Sequence, residues 1–281
     1  MNNIRKIYNL NNIEQTGKNI RIVILDTGVF PHTDIVDNIV FFKDFISGKD
    51  YSFDDNGHGT HIAGILSGRG KACHQKYMGI ATNAEIIMLK VLDKNGNGQT
   101  SDFINALKWI INNQEKYNIK LLNFSVGFIG RAKLYDRKRI LELINKIWDN
   151  GITVVTAAGN NGPKKNSITV PGISRKVITV GAVHETYSGC GPTDCCIVKP
   201  EILAPGSNII SLKNRHDEYI SKSGTSMATP IVCGALALVL EKNNMLRPVD
   251  LKLALYNTVD KKEDESNCWG SLNIEKLLNY V

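Results

Sequence analysis

The 281-residue chain has no apolar run long enough to cross a bilayer. The longest, Ile231 to Leu240, falls short of the ~20 residues a membrane-spanning helix needs, so no membrane insertion is expected. No apolar stretch follows the basic start Met1-Asn2-Asn3-Ile4-Arg5-Lys6. The secretory-signal pattern is therefore missing, and a cytoplasmic location is expected, with a mature fragment of an exported protein as the alternative. No internal repeat, low-complexity run or Pro/Ser-rich linker divides the chain. One domain is the expectation, and 42% hydrophobic residues supply one sizeable core. No GxGxxG or P-loop follows a strand-like run, which argues against a nucleotide-binding α/β protein. The net charge is +7 and the pI about 9.0, yet no nucleic-acid motif goes with it. The basic residues are scattered, with local groups at Arg131–Arg139 and Lys164-Lys165, and read as a solvated surface.

Six cysteines are present: Cys73, Cys190, Cys195, Cys196, Cys233 and Cys268. A chain of this size does not need disulfides, and the adjacent Cys195-Cys196 pair is no ordinary disulfide framework. Cys190, Cys195 and Cys196 lack the second CxxC pair that a structural metal site brings. Cys233 lies inside an apolar run and reads as a small core residue.

Strand-like runs alternate with helix-like ones. Strands are expected at Ile20–Leu25, Glu85–Val91, Lys120–Ser125, Ile152–Ala157 and Val177–Val183. Helices are expected at His58–Ser67, Ser101–Tyr117, Arg137–Asn150, Ser226–Asn243 and Pro248–Thr258. In the second, Phe103, Ile104, Leu107, Ile110 and Ile111 share a face. This rhythm gives an α/β fold of three layers, a mostly parallel central sheet with helices on both faces.

Three stretches carry reactive side chains. Gly224-Thr225-Ser226-Met227-Ala228-Thr229-Pro230 puts a serine at the start of a buried helix, where free N–H groups gather. Ser and Thr also cap helices for structural reasons alone. Ile20 to Gly28 reads as a buried strand ending on Asp26, and functional groups collect at such carboxyl ends. Asp26 can equally be a turn residue. Asp55-Asn56-Gly57-His58-Gly59-Thr60-His61 places glycines on both sides of His58, which permits close approach. His58 and His61 are three apart, so a metal site is the rival reading. No HExxH pattern or third ligand completes it. Together the stretches supply an acid, a base and a nucleophile in the order Asp26, His58, Ser226.

That order, with GHGTH around the histidine and GTSMATP around the serine, resembles the subtilisin-like serine proteases. The likeness covers nearly the whole chain. Leu122-Asn123-Phe124-Ser125-Val126-Gly127 looks like the family's substrate-binding strand, and Val154 to Gly162 like its oxyanion segment. Lys199 to Gly206 and Gly270-Ser271-Leu272-Asn273 match later framework stretches. The resemblance implies a serine endopeptidase with Asp26, His58 and Ser226 as triad. Asn160 and the backbone of Ser226, with Thr225 assisting, would form the oxyanion hole. By residue type alone, Asn160 is equally a turn residue.

The resemblance further implies an extended polypeptide substrate, paired with Ser125-Val126-Gly127 on one side and the Lys94–Gly98 loop, with Gly96 and Gly98, on the other. Leu92, Phe103 and Val126 would line an apolar pocket, opened by Thr100 where many relatives carry an aromatic residue. Ser125–Gly127, Ala157, Ala158, Gly159 and Thr169 would hold the residue just before the cut, apolar or uncharged by preference. No cofactor is implied for the chemistry. A structural calcium is not favoured, because Asp34 matches a ligand position whereas the loop Gly70–Tyr77 offers two lysines, a cysteine and a histidine. Asp54, Asp55 and Asn56 read as a solvated loop. Residues 1–19 read as a segment that is trimmed or folds over the cleft, and 20–281 as the catalytic domain. The sequence identifies no protein inhibitor or propeptide partner. It fits broad protein turnover, maturation of a particular precursor, or a silent relative that binds peptides.

Overall fold

The structure is a computed structural model that describes residues 4–127, 134–193, 197–261 and 268–281. Cys195, Cys196 and residues 131–133 of the basic group lie outside the described residues. The ten strands are β1 (Arg21–Asp26), β2 (Ile39–Asp44), β3 (Glu85–Lys90), β4 (Ile119–Phe124), β5 (Thr153–Ala157), β6 (Ile178–Ala182), β7 (Ile202–Ala204), β8 (Ile209–Leu212), β9 (Tyr219–Lys222) and β10 (Gly270–Ser271). The helices are α1 (Ile4–Ile7), α2 (His58–Ser67), α3 (Thr100–Tyr117), α4 (Leu134–Asp149), α5 (Thr225–Lys242), α6 (Pro248–Thr258) and α7 (Ile274–Tyr280).

Eight strands form one sheet in the order β10-β7-β6-β5-β4-β1-β3-β2, and β8 and β9 form a separate antiparallel hairpin. The ladders of the large sheet are parallel, as the alternation of strands and helices predicts. β1 shows how the layers arise. Ile22 and Ile24 point into a core shared with α2 and α5, whereas Val23 and Leu25 point into a second core with α3 and α4. Both faces are covered, so the strands read as continuous apolar runs. α5 is buried along nearly its whole length. Its length and composition would suffice to cross a membrane, a correction to the shorter run taken from sequence, but its side chains are spent on the core.

After β1 the chain builds β3 and β2 on one side, then returns to place β4 on the other. The carboxyl ends of β1 and β4 thus flank a switch point, where open α/β sheets collect ligands. Asp26 ends β1, Ser125 follows β4, and Ala158 follows β5.

Residues 4–19 are anchored on the body of the domain. Ile4 and Leu10 are buried in the first core. The Arg5 guanidinium donates to the carbonyls of Gly79 (3.1 Å) and Leu10 (2.8 Å). The Glu241 carboxylate accepts the N–H groups of Thr16 (2.5 Å) and Gly17 (2.6 Å). These hydrogen bonds tie the segment to the α2–β3 connection and to α5, which fixes it to the body of the domain.

Candidate active site

β1 and α2 bring the first two candidate residues together. His58 Nδ1 lies 2.7 Å from Asp26 Oδ1, and the same oxygen accepts the Thr27 N–H at 2.8 Å. A ring nitrogen facing a carboxylate oxygen is the protonated one, so Nε2 is left as the basic nitrogen. The approach depends on Gly59: a Cβ there would stand 2.1 Å from the Gly28 carbonyl oxygen. Asp26 is fully buried, whereas His58 keeps a quarter of its side-chain surface in solvent. Burial pushes the imidazole pKa down, but the charge and hydrogen bond of Asp26 outweigh it, and the net shift is upward. Lys222 opposes that rise and Asp54 adds to it.

Ser226 stands in the first turn of α5. Its hydroxyl donates to the Ser125 carbonyl (2.8 Å), while the Ser125 hydroxyl donates to the Ser226 carbonyl (3.2 Å). Asn123 Nδ2 donates in turn to the Ser125 hydroxyl (2.8 Å). Next to this clasp, Asn160 Oδ1 accepts both the backbone N–H and the hydroxyl of Thr225, each at 3.0 Å. A backbone N–H only donates, so the facing atom must be the oxygen. The Asn160 amide nitrogen is thereby turned outward as a donor. Thr225 orients that amide rather than facing the cleft itself, being fully buried and accepting the Gly159 N–H at 3.2 Å.

The expected pocket residues also meet. Thr169 packs between the strand continuation and the Ala158-Gly159 turn. Its N–H donates to the Ala158 carbonyl at 3.0 Å, and a Cβ on Gly127 would stand 2.3 Å from its hydroxyl. Across the cleft, the Lys94–Gly98 turn is held by Asp93, whose carboxylate accepts the N–H groups of Asn95 and Asn97, both at 2.9 Å. Asn56 Nδ2 ties this turn to the histidine loop through the Lys94 carbonyl (3.0 Å). Gly96 and Gly98 are exposed, and Thr100 opens α3 half-buried. Leu92 and Phe103 are closed into the second core, at 5% and 1% exposure. Val126, packed against the same core, alone of the three is half-buried.

Several neighbouring groups have other work. His61 is buried, and its Nε2–H points at the carbonyls of Ile209 (3.2 Å) and Ile220 (3.1 Å). Burial first, and then Lys222, push its pKa down to about 3. It is a neutral tether between α2 and the β8–β9 hairpin. Asp34 does not fit a calcium ion. Its oxygens are taken by the Ala72 N–H (2.8 Å) and the Tyr219 hydroxyl (2.6 Å), and the adjoining loop adds Lys71 and Cys73 where the cation needs oxygen and negative charge.

Two residues with clear structural parts were missed. Asp54, read as solvated, is 6% exposed, and donors surround its carboxylate. An acid two and three residues before the amides of Asn56 and Gly57 has the spacing of a turn or cap, which is the signal that was available. Lys90 is buried at 2%. Its ammonium donates to the carbonyls of Thr27 (2.6 Å) and Leu92 (2.8 Å) and to Asp55 (2.7 Å). A lone lysine ending an apolar strand run was its signal.

The parallel sheet thus carries a paired acid and histidine at the end of β1 and the start of α2, and a serine at the start of α5 bonded to the chain that follows β4, residue types from which serine hydrolases build their sites. The Subtilase family model matches residues 17–270, and the chain belongs to that family, the subtilisin-like serine endopeptidases. Serine protease AprX of Bacillus subtilis is 38% identical over 91% of this chain, which spans 65% of that relative. Subtilisin DY of Bacillus licheniformis is 32% identical, covering 92% of this chain and 90% of its own length. Among solved structures, Sphericase superposes with a TM-score of 0.80 at 30% identity, covering 92% of this chain and 89% of that one. These relatives lend the cytoplasmic expectation no support.

Proposed function

We propose that this chain hydrolyses peptide bonds in extended polypeptides through an acyl-enzyme formed on Ser226. The observation that carries this reading is the Asp26–His58 pair at 2.7 Å, set at the switch point with Ser226 in the first turn of α5. The Ser226 hydroxyl turns from the Ser125 carbonyl towards His58 Nε2. Its oxygen then attacks the substrate carbonyl carbon as its proton passes to Nε2. Asp26 keeps Nδ1 protonated and stabilises the imidazolium. The oxyanion is met by the Asn160 amide N–H and the Ser226 backbone N–H. As the C–N bond breaks, His58 delivers the proton to the leaving amine. Water, deprotonated by the same imidazole, then attacks the ester carbon; as the C–O bond to Ser226 breaks, His58 returns the proton to the Ser226 oxygen and the acid is released.

The substrate lies as an added strand along Ser125-Val126-Gly127, with the Lys94–Gly98 turn on its other side. Val126, Ala158, Gly159 and Thr169 present no charge to the residue before the cut, which supports a preference for uncharged side chains there. Reaction with a fluorophosphonate, followed by peptide mapping, tests the reading. Label on Ser226 that disappears in Ser226→Ala is expected. Folded wild-type protein that takes no label would overturn it in favour of a silent peptide-binding relative.

A further inference from the structure

The Asp26–His58 contact joins two segments that do not touch through the sheet. β1 delivers Asp26 from the central layer, whereas His58 begins a helix reached through a long irregular connection. A carboxylate and an imidazole 2.7 Å apart keep that geometry only if the two segments are held in register by something else.

Asp54 makes that link. Its Oδ1 accepts the hydroxyl of Thr27 (2.9 Å), the residue after Asp26. The same oxygen accepts the N–H groups of Asn56 (3.0 Å) and Gly57 (2.8 Å), immediately before His58. Its Oδ2 accepts the N–H and hydroxyl of Thr60, at 2.9 and 2.6 Å, in the first turn of α2. The Thr27 hydroxyl accepts the Gly59 N–H (2.9 Å), and the Thr60 hydroxyl accepts the Phe30 N–H (2.9 Å). Asp54 is itself anchored from both directions. It bridges Gly28 in antiparallel fashion, and its carbonyl accepts the Asn214 side-chain amide (3.1 Å). One 6%-exposed carboxylate therefore grips the residue after the acid and both flanks of the histidine.

We propose that Asp54 is a positioning residue that fixes the Asp26–His58 pair by binding Thr27 on one side and Gly57 and Thr60 on the other. This rests on the hydrolase reading above for its consequence in catalysis, but its geometric claim stands on its own. The buried location also makes Asp54 a second anion facing the imidazole. The charged and titratable groups around His58 are Asp26 from β1, Asp54 from the preceding loop, Lys222 from β9 and His61 from α2 itself. Removing Asp54's charge leaves Lys222 opposed by Asp26 alone.

The decisive comparison is Asp54→Asn against wild type, by NMR of the His58 ring and by fluorophosphonate labelling. An amide has one acceptor oxygen, so one of the two donor sets must face an NH2 group. In folded Asp54→Asn, the His58 Nδ1–H resonance should broaden or move upfield, and the imidazole should titrate at lower pH. Labelling of Ser226 should slow by about ten- to a hundredfold, the scale of an ångström-sized misplacement. Thr60→Val should reproduce part of the ring signature and Thr60→Ser, which keeps the hydroxyl, should not; this pair decides if Asp54→Asn does not fold. An unchanged Nδ1–H resonance and titration midpoint in folded Asp54→Asn would overturn the proposal. Labelling of the wild type bears on the hydrolase reading alone, because the ring signature is read without turnover.

Discussion

Replacing Glu201 by alanine should destabilise the protein far more than replacing its partner Lys199 by methionine. Lys199 is completely buried and Glu201 is 2% exposed, with their charged atoms 2.6 Å apart. A second cation, Lys252, reaches the same Glu201 oxygen at 2.7 Å. The other carboxylate oxygen accepts the Thr179 N–H at 2.8 Å. Glu201→Ala thus leaves two ammonium groups facing a site with no anion, and losing one partner of a buried pair costs about 3–5 kcal/mol. At ~2.1 cal/mol/K of unfolding entropy per residue, 281 residues give about 0.6 kcal/mol/K, so Tm falls by roughly 5–8 °C. Lys199→Met leaves Glu201 still served by Lys252 and Thr179, and an apolar side chain of similar length removes the desolvation cost. A change near zero, or a gain, is expected. The pH dependence carries a second signature. Burial pushes the Lys199 ammonium down to about 8 from 10.5, with Glu201 holding it up and Lys252 pressing it lower. The folded state then releases this proton before the unfolded state does. The cost of a charged Lys199 is present in full below pH 8 and fades between pH 8 and 10.5. Across that window wild type should gain on Lys199→Met. Thermal unfolding is measured in a Ser226→Ala background, so that self-digestion does not intrude. Equal losses in Glu201→Ala and Lys199→Met would refute the reasoning.

Asn160→Ala should lower kcat by about a hundred- to a thousandfold with KM little changed, the size seen when a subtilisin loses such a donor; steady-state kinetics on a chromogenic peptide decide it. His58 has a pKa raised above 6.5 and must be neutral to accept a proton, so the acid limb of kcat/KM should fall above pH 6.5. Lys222 presses that value down, so Lys222→Gln should move the limb to higher pH, and a pH–rate profile showing movement to lower pH would sink the assignment.

The sequence made the large elements legible because their signals are local. α2 and α6 run over the expected residues, and the five expected strands, now β1, β3, β4, β5 and β6, fall within a residue of expectation at each end, while β7 and β10 were not marked as strands. β2 was not anticipated. It is an edge strand with only one of its six residues buried, so it lacks the continuous apolar run that marked β1 and β3. The β8–β9 hairpin was missed for a similar reason, and its importance is only visible in space, where its carbonyls receive His61 and its Tyr219 hydroxyl caps Asp34. Asp26, His58, Ser226 and Asn160 could be singled out as candidates because each sits in a short stretch with an unusual composition.

What holds those residues in place was not legible, because it depends on pairings across long separations in the chain. Asp34 meets Tyr219, Glu241 meets Thr16 and Gly17, and Asp54 meets Thr27. None of these pairs has a spacing that a sequence pattern could flag. The same fact explains why Asp54 was read as part of a solvated loop: it stands in a short polar stretch. It instead closes a long loop, binding Thr27 on one side and Gly57 and Thr60 on the other. Asp26, His58 and Ser226 stand on β1, α2 and α5, whereas Asp34 and Asp54 stand between the elements and bond across them.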